Sequence, residues 1–183
     1  MAADVNATDI GHEDVMRDPD RVAATIENSG AVYGLRSMVV RARCDSLVVF
    51  RLTLDPWAPM VAEGYPQELV NITVWRTGQI VAVPVNGAAR SWAHRQPFLL
   101  GHLELVGQLC LWAYDDPPAL RWSWSDGLVA FITVVHRHLQ AEEFCRRTGR
   151  WPSEDAPHGA GPHPIRTPAL QAIVAEAPTC SLT

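Results

Sequence analysis

Lysine is absent from this chain: all fifteen of its basic residues are arginines, from Arg17 to Arg166. Without a side-chain amine, Schiff-base and pyridoxal-type lysine chemistry is excluded, and so is a phosphate loop ending in Gly-Lys-Ser/Thr. Also missing is any run approaching the roughly eighteen apolar residues that a membrane span requires. The stretch Met1 to Ile10 carries acids where a signal peptide carries bases, and no apolar block follows it. Four cysteines, Cys44, Cys110, Cys145 and Cys180, never form a Cys-x-x-Cys pair. These absences predict free thiols, a cytoplasmic protein and no membrane partner. Twenty Asp+Glu against fifteen Arg leave a net charge of -5, a poor balance for gripping nucleic acid, so no nucleic-acid partner is expected.

What is present is a core. Hydrophobic residues make up 48% of 183 and charged residues 19%, enough to bury a single domain. Composition shifts at Pro152, the first of six of the fourteen prolines that fall in the last stretch, so residues 1–151 read as one domain and 152–183 as a Pro-rich loop and tail. Within that tail only Pro168 to Glu176 has a helical pattern, with Leu170, Ile173 and Val174 on one face.

Periodicity predicts an α+β fold. Val22, Ala23 and Ile26 behind Asp18-Pro19, with Gly30 beyond, predict a short N-terminal helix. From Tyr33 the period becomes two, giving strands to Ala42 and from Leu47 to Leu54, then Glu68 to Trp75 and Gln79 to Val83. Four strands with short links predict an antiparallel meander. Pro84 to Gly107 has no clean period and is expected to be a long irregular loop, the kind of segment that carries function. Leu128, Phe131, Ile132, Val135, Leu139 and Glu142 then recur at helical spacing. They predict a helix from Asp126 to about Arg147, capped by Ser123 or Ser125, stopped by Gly149 and packed on the sheet.

Cys110 ends the loop, in Gly107-Gln-Leu-Cys110-Leu-Trp112, with His102 upstream. A thiol on an irregular segment can meet another molecule, whereas between Leu109 and Leu111 it can equally be a small buried hydrophobe. Trp112, Trp122 and Trp124 crowd the following stretch and are expected to pack it beneath the long helix rather than to cage a ligand. His136 and His138 are two apart on a helix and point apart, so with Cys145 they make a poor metal site; no metal or cofactor is expected.

The spacing of Gly107 and Cys110-Leu111 resembles the reactive-cysteine segment of ubiquitin-conjugating enzymes, and the order of elements is similar to that fold. The similarity is closer to bacterial members of that superfamily found in antiphage and conjugation-like operons. It runs through His102, Gly107, Leu109 to Trp112, Trp122, Asp126 to Leu128, His138-Leu139, Glu142-Glu143, Thr148-Gly149, Trp151-Pro152 and His158. Two departures stand out: Leu103-Glu104 follows His102, so no Asn occupies the oxyanion-stabilising position, and Val106 replaces the polar residue expected before the Gly.

The resemblance implies a thioester carrier. Cys110 is its nucleophile, receiving an acyl group from an adenylating activating enzyme and passing a ubiquitin-like modifier or protein C-terminus to a target, such as a nucleotidyltransferase that makes a signal. His102 is expected to hold the loop or donate to the oxyanion, and His158 to orient or deprotonate the acceptor, unless it is a solvated tail residue. Two other readings stand beside this one: a non-catalytic interaction module on the same fold, and a stand-alone Cys-His hydrolase.

Overall fold

The computed structural model describes residues 6–85, 90, 92–100, 103–112, 116–117 and 121–152. It is a mixed α+β structure. Helix α1 (His12–Arg17) leads into α2 (Pro19–Ser29). The Asp18 carboxylate accepts the Arg21 N–H at 3.2 Å, Pro19 takes the first helical position, and Gly30 ends the helix at φ 65°. Val22, Ala23 and Ile26 form its buried stripe.

Strands β1 (Leu35–Cys44), β2 (Leu47–Leu54), β3 (Glu68–Trp75) and β4 (Ile80–Pro84) form a four-stranded antiparallel sheet in sequence order, with the short helix α3 (Ala58–Ala62) between β2 and β3. Alternation decides its buried face: Val48, Phe50, Leu52 and Leu54 of β2 lie beside Val70, Ile72 and Val74 of β3, in a register that sets Phe50 against Ile72 and Leu52 against Val70. The meander therefore forms as its period-two pattern predicts.

The expected long loop is different. Strands β5 (Arg95–Leu100) and β6 (Leu103–Leu109) pair antiparallel as a separate two-stranded sheet, packed beside β4. Pro97 explains why the pattern hid this. It has no N–H for the ladder, and the register shifts between Gln96 and Phe98, so the alternation on which a strand is recognised slips at that point.

Helix α4 (Gly127–Thr148) is the long helix, stopped by Gly149 at φ 71°. Leu128, Phe131, Ile132, Val135 and Leu139 are fully buried and share one core with β2, β3 and α2. Ser123 does not cap it directly but opens a single 3₁₀ turn, Trp124–Asp126, its N–H bonded to the Asp126 carboxylate at 2.8 Å. Gly127 follows at φ 79°, where a Cβ would lie 2.5 Å from the Thr8 carbonyl oxygen, and the Leu128 N–H donates to Ile10 at 3.0 Å. The N-terminal segment is thereby locked against the start of α4.

The tryptophans pack this junction as expected. Trp122 Nε1 donates to Gly127 and Trp124 Nε1 to Gly78, and Phe131 meets Trp122 and Trp112 edge-on, with ring centroids 5.0 and 6.3 Å away. Among the described residues no helix is long and apolar enough to cross a membrane.

Candidate functional site

Cys110 lies one residue beyond β6, outside regular structure, so its predicted setting holds although a hairpin leads to it instead of a loop. Its N–H donates to the carbonyl oxygen of His94, the residue before β5, at 3.0 Å, so the bond closes the open end of the hairpin. The residue is only 8% exposed, and its thiol donates weakly to the Trp112 carbonyl at 3.5 Å. A thiolate has no proton to give, so that contact belongs to the neutral form. Cys44 and Cys145 are both more exposed. Accessibility alone therefore does not single out Cys110; its surroundings do.

Those surroundings centre on Glu142, a fully buried carboxylate in the second turn of α4 from its C-terminal end. One oxygen accepts the Ala93 N–H at 2.8 Å and the other the His94 N–H at 2.7 Å. One turn earlier, His138 places Nε2 3.5 Å from Glu142 Oε1 and 3.3 Å from the His94 carbonyl oxygen, the same oxygen that takes the Cys110 N–H. Both neighbours are acceptors, so the proton belongs on Nε2. Burial pushes the Glu142 carboxyl up, but hydrogen bonds from His138, Ala93 and His94 outweigh it and hold the group below its ordinary value, ionised. The His94 ring packs on Trp151 at 3.9 Å and lies edge-on to His138.

A neighbouring carboxylate behaves in the opposite way. Glu68, at the start of β3, is raised by burial, which its Arg90 and Arg146 partners only partly offset. Arg146 also covers the Trp92 ring at 4.9 Å, so the segment before the hairpin is held by charge as well as by hydrogen bonds.

A groove of about 560 Å³ reaches the residue after Cys110, with walls that include Trp57, Leu111, Arg137, His138, Phe144 and Trp151. Its apolar walls are interrupted by Arg137, His138 and Gln140, and it runs along α4 to Trp151 and Pro152.

Of the predicted site residues, only Cys110 is placed; His102 and His158 lie outside the described residues. Glu142 and His138 entered the sequence pattern but had no assigned role, and His94 and Trp151 carried none. Glu142 did leave a signal, since it falls three residues after Leu139 on the buried stripe of α4, where an acid must have partners. His94 left none. His136 faces elsewhere from His138: it packs on Trp57, and burial holds its imidazole below the ordinary value. Among the described residues no three His, Cys, Asp or Glu side chains converge as metal ligands.

The chain matches no family model, no curated protein and no solved structure.

Proposed function

We propose that the chain is a ubiquitin-conjugating-like thioester carrier of a bacterial conjugation or antiphage signalling system. It works in the cytoplasm with an adenylating activating enzyme and a ubiquitin-like modifier or target protein. The observation that carries this reading is the setting of Cys110: a thiol just past a strand end, its amide tied to His94, next to Leu111 in the wall of a groove of about 560 Å³. The order of helix, antiparallel meander and long helix accords with the resemblance.

The chemistry is thioester exchange. Cys110 Sγ, as thiolate, adds to the donor thioester carbonyl; a new S–C bond forms, and the donor sulfur leaves and takes up the proton that Cys110 released. An acceptor amine then adds to the same carbon and loses a proton to His158 or water, and Cys110 departs as thiolate. A thiol that must both attack and leave is served by modest reactivity, with which a sheltered Cys110 is consistent.

One observation favours the non-catalytic module: the 8% exposure of Cys110, with its thiol bonded to Trp112. Exposure of the full chain to p-nitrophenyl acetate separates the readings. A carrier accumulates a stable acyl group on Cys110, whatever label the more exposed Cys44 also takes, without sustained turnover. Continuous p-nitrophenol release that depends on Cys110 would make the protein a hydrolase, and a Cys110 that never acylates would leave the interaction module.

A further inference from the structure

We infer that Glu142 and His138 form a clamp on α4 that positions Cys110 through the backbone of His94. The relay can be followed bond by bond. Glu142 holds the consecutive amides of Ala93 and His94 at 2.8 and 2.7 Å, fixing the plane of the peptide that enters the hairpin. His138 approaches the carbonyl oxygen at the other side of His94 at 3.3 Å, and that oxygen receives the Cys110 amide at 3.0 Å. The hairpin is a separate two-stranded sheet that shares no ladder with β1 to β4. Its open end is therefore oriented by these side-chain bonds together with the burial of Leu109 in the core, the packing of β6 beside β4 and ring packing on Trp151.

Chemical type fits the role. Two parallel N–H donors need an acceptor with two oxygens, which a carboxylate supplies and no neutral side chain does. An ionised group with no solvent exposure persists only when it is multiply hydrogen-bonded, and Glu142 is. Helical spacing of four sets His138 and Glu142 on one face, so a single rigid element delivers both. Neither touches the thiol; both are positioning residues.

The effect on acyl transfer rests on the carrier reading, but the clamp can be tested without it. In the full chain, Glu142→Gln keeps one acceptor oxygen and turns an NH₂ towards the other amide. Backbone hydrogen exchange at Cys110 is expected to quicken by about tenfold, the scale of one lost hydrogen bond. Exchange along the edge strand β1, which opens without unfolding the core, should not change. Iodoacetamide should label Cys110 faster, with Cys44 unaffected. If Glu142→Gln does not fold, the His138 pair serves: His138→Leu should speed exchange at Cys110, and His138→Gln, which retains an N–H donor, should restore the slow rate. Unchanged exchange at Cys110, a rise shared equally by the edge strand β1, or equal behaviour of His138→Leu and His138→Gln would overturn the clamp. A Cys110 amide that responds to Glu142 while the thiol accepts no acyl group would retain the clamp and sink the carrier.

Discussion

The amide of Cys110 donates to the carbonyl oxygen of His94 at 3.0 Å, joining the two ends of the β5–β6 hairpin. The thiol beyond it is sheltered and engaged by Trp112, while Cys44 lies at a strand end with its sulfur 3.2 Å from Ser46 Oγ and more open to solvent. In the folded chain a small alkylating reagent is therefore expected to label Cys44 before Cys110. Timed labelling with peptide mapping checks the order, and faster labelling of Cys110 would mean that its shelter opens readily.

Glu142 gives a pH signature. Its folded-state value lies below the ordinary 4.5, so the stability it contributes is present above 4.5 and is lost as pH falls through the lower folded value. Glu142→Gln should be less stable than wild type near neutrality by about 2–5 kcal/mol, the range for breaking a buried hydrogen-bonded charge. Thermal melts of the two proteins should converge as the pH drops below 4.5. Glu68 has the opposite sign, because burial raises it, so Glu68→Gln should show no such convergence.

Gly127→Ala should unfasten the N-terminal segment. A methyl at that φ would sit 2.5 Å from the Thr8 carbonyl, and relief requires moving Thr8 and the Leu128 to Ile10 bond beside it. A loss of about 2–4 kcal/mol, from left-handed strain plus overpacking, is expected in chemical denaturation. Trp122, whose indole donates to Gly127, should report the change by fluorescence.

The four-stranded sheet and α4 were legible because their patterns repeat: Val48, Phe50, Leu52 and Leu54 alternate, and Leu128, Phe131, Val135 and Leu139 recur by helical turns. The hairpin was not, since Pro97 and the register shift beside it break the alternation. At the candidate site, the position of Cys110 outside regular structure was legible from its neighbours in sequence. The contribution of His94 was not, because it acts through its backbone N–H and C=O, which every residue type but proline possesses. Glu142 stood in between: an acid on a buried stripe announces partners but not which amides they are.

His158 bears on the second half of the proposed cycle. His158→Ala should leave acylation of Cys110 nearly intact and slow discharge to an amine by roughly ten- to ten-thousand-fold, the range that general-base and positioning groups supply. Single-turnover loading and discharge, followed separately, would show it. Loss of loading alone would assign His158 to donor docking instead.

The central claim is that Cys110 carries an acyl group as a thioester. The direct measurement is acid-quenched intact mass and peptide mapping of the full chain after incubation with a peptide ending in a glycine α-thioester of mercaptoethanesulfonate. The account predicts one peptide equivalent, located on Cys110, released by hydroxylamine and absent from Cys110→Ala. An adduct distributed over Cys44 and Cys145 with Cys110 bare, or one that persists undiminished in Cys110→Ala, would contradict it.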